Sequence, residues 1–128
     1  MVGNTSVHEL TGRACVWNML DNSVIDYASD DSCVAEMNDN AHIKSLNSAS
    51  IVKLMVDKSE IEEMSDDSTV MKMMNNSRVD VMKDKSSVKN MESGEKVAKL
   101  YDSAFVVDVS DKKIYTAKNS SYNIEEQV

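Results

Sequence analysis

The chain has no proline, three glycines and two cysteines in 128 residues. Collagen-like, Gly/Ser-linker and proline-rich architectures are excluded on that ground. Aromatics are scarce too: one Trp, one Phe and four Tyr. Positive charge is in deficit, with 14 Lys and Arg against 22 Asp and Glu, a formal charge of -8. Nucleic-acid recognition asks for a basic patch, so no nucleic-acid partner is expected. No apolar run is long enough to cross a bilayer, and no membrane partner is expected. The opening residues, Met-Val-Gly-Asn-Thr-Ser, do not read as a signal peptide.

The combinations that carry chemistry are also missing. Histidine occurs only at His8 and His42, in separate segments. No Gly-rich phosphate loop, His-Glu-x-x-His or paired-cysteine motif is present. Catalysis needs a nucleophile or an acid–base pair with a placed partner. The expectation is therefore a protein that is not an enzyme and has no cofactor and no metal. The cluster Glu60, Glu62, Glu63, Asp66 and Asp67 reads as a solvated acidic face. Cys15 and Cys33 read as two small side chains at a variable position. A disulfide between them would require two repeats per coil turn.

What the chain does have is a period of nine. Stepping by nine through Ser50 gives Thr5, Ala14, Ser23, Ser32, Ala41, Ser59, Ser68, Ser77, Ser86, Glu95 and Ala104. Two residues after each start comes Val or Ile without exception, from Val7 to Val106. Five residues after comes a second apolar series: Leu10, Met19, Ala28, Met37, Leu46, Met55, Met64, Met73, Met82, Met91, Leu100 and Val109. Seven residues after, eight of twelve positions are Asp: 21, 30, 39, 57, 66, 84, 102 and 111. The consensus is Ser-x-Val-x-x-Met-x-Asp-x, the signature of a stacked array in which each unit buries its apolar face on its neighbours. Residues 1–4 form a lead-in, 5–112 the array, and 113–128 a degenerate repeat with a C-terminal docking tail.

The period constrains the backbone. Nine residues make about two and a half turns of α-helix, so one continuous helix would carry two apolar stripes. A strand alternates faces, which would point Val and Met, three apart, in opposite directions. Within one short helix, residues three apart share a face. The expected fold is thus all-α: a solenoid of about twelve repeats, each a short helix and turn, with Val/Ile and Met/Leu forming the core. The Asp phase would cap the next helix. The calcium-binding β-roll of the same period needs a Gly-Gly-x-Gly-x-Asp unit that this chain lacks.

Segments such as Ser68-Thr69-Val70-Met71-Lys72-Met73 and Ser32-Cys33-Val34-Ala35-Glu36-Met37 have a small polar start and two apolar residues three apart. They resemble the short Ser-x-x-Ala-Met-x-x-Val repeats of tail fibres and other virion structural proteins of tailed bacteriophages, with Val placed before Met. The resemblance implies a structural protein of a phage particle, located in the virion or in the host cytoplasm before assembly, with other virion proteins or further copies of itself as partners. The acidity supports an alternative, an inhibitory binding protein that imitates DNA. The pattern breaks at its ends, and aromatic residues anchor interfaces. The candidate partner-binding residues are therefore Trp17 and Leu20 near one end, and Tyr101, Phe105, Tyr115, Tyr122 and Ile124 near the other.

Overall fold

The computed structural model describes residues 1–91, 96–109, 112–116 and 124–127. It overturns the helical expectation. No helix occurs among the described residues, and where the repeat is described a nine-residue unit is one short β-strand followed by a turn. The strands are β1 (Ser6–Leu10), β2 (Cys15–Met19), β3 (Val24–Ala28), β4 (Cys33–Met37), β5 (His42–Leu46), β6 (Ile51–Met55), β7 (Glu60–Met64), β8 (Thr69–Val70), β9 (Arg78–Met82), β10 (Ser87–Met91), β11 (Lys96–Leu100), β12 (Phe105–Asp108), β13 (Lys113–Tyr115) and β14 (Ile124–Gln127). The odd strands up to β11, followed by β14, stack in one sheet, in the order β1-β3-β5-β7-β9-β11-β14. The even strands up to β12, joined by β13 at one edge, stack in the other, β13-β12-β10-β8-β6-β4-β2. Two units make one coil, so the solenoid has about six coils and every residue lies beside its equivalent two units away. His42 pairs with Glu60, for example, and Cys33 with Ile51. The architecture is a solenoid, as expected, but a β-solenoid.

Strict alternation would send Val and Met to opposite sides, yet both point inward. The reason is visible in the pairing. Between β5 and β7 the ladder joins His42 to Glu60, Ile43 to Ile61, Ser45 to Glu63 and Leu46 to Met64, and skips Lys44. The five-residue strands bend at the middle residue, which resets the pleat. Two outward residues then separate two inward ones, and Ile43 and Leu46 are both fully buried. The bend falls at the same residue in each five-residue rung, so the ladders stay parallel and in register through it.

The interior is a double column of Val/Ile and Met/Leu from Met19 to Leu100. Methionine, unbranched and flexible, fills a core only two side chains wide. Val7 and Val16 are less buried because no coil lies outside them; Met1 packs over that end instead. At the other end β12 slips by one residue, pairing Met91 with Asp108. Asp108 is consequently buried, and Val109, expected in the core, is 45% exposed. β13 runs antiparallel to β12 and buries Tyr115, ending the parallel stack of that sheet.

The Asp phase does not cap helices. It supplies the left-handed residue of seven of the described turns. Asp21, Asp30, Asp39, Asp57, Asp66, Asp84 and Asp102 have φ between 54° and 59°. Gly12, Ser48 and Asn75 take the same role in other units, and Lys112 in the last turn. Asp and Asn tolerate this conformation because a short polar side chain bonds locally. Here the carboxylate also accepts the N–H of the equivalent residue one coil earlier: Gly12 to Asp30 at 3.0 Å, Asp21 to Asp39 at 3.1 Å, Ser48 to Asp66 at 3.1 Å and Asp66 to Asp84 at 3.2 Å. The turn closes with a main-chain bond to the start residue, as from Ser68 N–H to Ser65 C=O. That start residue is buried, and Ser is small enough to fit; Ser50 and Ser86 turn their hydroxyls back to the turn carbonyls. Asp111 and Glu95, expected members of these series, lie outside the described residues.

Substitution at Asp66 separates the two accounts of this phase. Asp66→Gly keeps the turn and loses only the carboxylate bond, at roughly 1 kcal/mol. Asp66→Val adds a left-handed penalty of about 1–2 kcal/mol. Urea unfolding is expected to rank parent, Gly and Val in that order. A Val variant as stable as the Gly variant would contradict the left-handed turn.

Candidate functional site

The bend in each strand leaves two outward faces and two turn edges, and these surfaces differ. The odd-strand face carries Glu9, Asp26, Glu60, Glu62, Glu63 and Asp80 with Lys44, Arg78, Lys96 and Lys99. Much of this charge is satisfied within the face. His8 Nδ1 lies 3.0 Å from Asp26, whose other oxygen is 3.4 Å from Lys44. His42 meets Glu62 at 2.8 Å, Arg78 meets Asp80 at 2.6 Å, and Lys83 from the adjoining turn meets Glu63 at 2.9 Å. The hydrogen bond to His8 lowers the Asp26 carboxyl below the usual range, and Lys44 acts in the same direction. The bond to Glu63 raises the Lys83 ammonium. Glu60 is pushed up because its carboxyl hydrogen-bonds that of Asp80, with burial second.

The even-strand face is of another kind. Along its middle row stand Trp17, Ala35, Lys53, Met71, Lys89 and Val107, flanked by the Cys15–Cys33 disulfide, Ile51, Leu54 and Phe105. Trp17 is 78% exposed and Met71 44%. Neither Lys53 nor Lys89 has an ion-pair partner among the described residues. The edges carry columns of turn carboxylates, Asp30, Asp66, Asp84 and Asp102 on one and Asp21, Asp39 and Asp57 on the other. No cavity and no group of three His, Cys, Asp or Glu able to hold a metal occurs among the described residues.

The expected contact residues scatter. Trp17 and Phe105 share the even-strand face but sit on β2 and β12, about 24 Å apart at about 4.8 Å per strand. Leu20 and Tyr101 are half-buried turn residues on opposite edges, and the Leu20 N–H donates to Met1 C=O. Tyr115 belongs to the core. Ile124 lies in β14, in register with Val97. Tyr122 is outside the described residues. Tyr27 stands exposed with its ring edge-on to His8, at 5.6 Å.

Sequence reasoning missed the paired cysteines and the contrast between the faces. One signal could have given both: residues two units apart are neighbours, so alternate units must be read as separate columns. In that reading Cys15 sits on Cys33, and their Cα atoms are 4.6 Å apart. Compared with known proteins, the chain matches no family model, no curated protein and no solved structure.

The Glu60–Asp80 pair gives a pH test. A carboxyl raised in the folded state binds its proton more tightly there than in the unfolded chain. The folded state therefore carries a penalty at neutral pH that disappears as pH falls and Glu60 is protonated. Glu60→Gln supplies a donor to Asp80 at every pH. It is expected to gain less than about 1 kcal/mol at neutral pH, a partly exposed site being screened, with the gain vanishing on acidification. A gain that grew on acidification would contradict the shared proton.

Proposed function

We propose that the protein is a non-enzymatic structural component of a bacteriophage particle, a tail fibre, adaptor or decoration protein, that works by protein–protein contact through its even-strand face. The observation that carries the contact is the difference between the two faces. Charge on the odd-strand face is largely paired within that face, whereas Lys53 and Lys89 share their face with Trp17, Ile51, Leu54, Met71 and Phe105 and have no ion-pair partner among the described residues. Apolar surface beside unpaired ammonium groups suits a partner that is apolar with carboxylates at its centre. A regular stack of parallel strands also suits a rigid spacer. The particle setting rests on the likeness of the repeats to those of phage fibres. Relative to the expected docking through the array ends, this reading moves the contact onto the face where Trp17 and Phe105 lie.

A second reading, imitation of DNA, is favoured by one observation: the carboxylate columns along both edges. It requires a free protein that competes with DNA for a basic host protein.

Both readings are tested by purifying particles and quantifying the protein in them by mass spectrometry. The parent is expected in the particle fraction, with Lys53→Glu and Met71→Glu folded but depleted at least tenfold. Glu9→Lys on the opposite face is expected to incorporate normally. Absence of the parent from particles would dismiss the virion reading. Normal incorporation of the face variants would remove the even-strand face from the contact.

A further inference from the structure

The first coil differs from those above it. It has a neighbour on one side only, and Val7 and Val16, whose counterparts in every inner coil are fully buried, remain partly exposed. Its start residues Thr5 and Ala14 are exposed where inner coils bury Ser. β2 is held in its sheet by β4 alone. Physical reasoning makes this coil the first to open, since terminal elements with few buried contacts have the lowest local stability. It is also the coil that carries a covalent link. Cys15 on β2 is bonded to Cys33 on β4 across directly paired positions.

We propose that the Cys15–Cys33 disulfide is a redox clasp on the terminal coil: oxidised, it locks the first coil onto the second; reduced, it frees that coil to open. The chemistry balances with a dithiol as reductant. Two thiols of dithiothreitol supply two electrons and two protons, the S–S bond becomes two cysteine thiols, and dithiothreitol closes to its cyclic disulfide. Cys15 is solvent-exposed, so an attacking thiolate reaches its sulfur. The clasp closes a loop of 18 residues, and a loop of that length constrains the opened chain by a factor of roughly 100. Opening transfers the free sheet edges from β1 and β2 to β3 and β4, with Ile25, Ala28, Val34 and Met37 in their core columns. An uncovered apolar edge of this kind is a template for strand addition. Disulfides persist in oxidising surroundings, so the closed form belongs to an oxidising compartment and the open form to a reducing one.

Hydrogen exchange reads the opening at named amides. Cys33 and Asn38 donate to carbonyls of the first coil beside and within the clasped loop, at Ala14 and Met19. His42, Asn47, Ala49 and Ile51 donate in the same way to the second coil. Dithiothreitol is expected to lower protection of the first set about 100-fold and to leave the second set within about threefold. The double variant Cys15→Ser, Cys33→Ser should show the reduced pattern with and without dithiothreitol, which separates the clasp from any other effect of the reagent. Trp17, the chain's single tryptophan and on the same strand as Cys15, gives a parallel fluorescence signal. Equal protection of the first set in oxidised and reduced protein would overturn the proposal. So would equal loss in both sets, which would make the disulfide a support of the whole fold. Two free thiols in the air-oxidised full-length protein, measured by mass after alkylation, would overturn it as well.

Discussion

The structure depends on main-chain hydrogen bonding between residues one coil apart. Once two units make a coil, each phase of the repeat stands on its own kind. Val lies on Val, Met on Met and turn Asp on turn Asp, and each contact is repeated along the stack. A single unit could not fold: five residues of strand bury too little to offset their ordering. The same stacking makes one sequence rule sufficient for the whole array. Any residue type that suits its phase once suits it in every coil.

Stacking also forces like upon like where that is unfavourable. Columns of aspartates would repel, and the fold offsets this by giving each carboxylate an N–H from the coil before, as Asp66 takes the N–H of Ser48. On the odd-strand face the offset is alternation: His8, Asp26 and Lys44 stand on successive strands of one row. On the even-strand face, Lys53 and Lys89 stand beside apolar side chains with no ion-pair partner among the described residues. The functional proposal rests on that exception. The variable phases, which contribute least to the core, hold most of what distinguishes one surface from another.

Much of this was legible in the sequence. The period of nine, the solenoid and the two core columns all follow from the positions of Val, Ile and Met. The fold class did not, because Val and Met three apart share a face only in a helix or in a strand whose pleat is interrupted. A bend at residues such as Lys44 is that interruption, and helical spacing of i and i+3 is then no evidence for a helix. Asp was misassigned for a related reason. It favours both helix caps and left-handed turns, and only the backbone decides between them. Asp108 and Val109 exchanged roles through a one-residue slip that no periodicity reveals. The candidate contacts were chosen as departures from the pattern, and departures have several causes. Tyr115 departs because it closes the core; Trp17 departs because it lies on an outer face.

The most direct test of the account is cross-linking that distinguishes a coil of two units from any other winding. With Cys15→Ser and Cys33→Ser as background, one protein carries Ile51→Cys and Thr69→Cys, which are directly paired on β6 and β8. A second carries Ile51→Cys and Glu60→Cys, one unit apart and on opposite sheets. Mild oxidation of dilute protein is expected to close the first pair within the monomer and leave the second as free thiols. Closure of the second pair, or failure of the first, would contradict the two-unit coil and with it the columns on which every further argument stands.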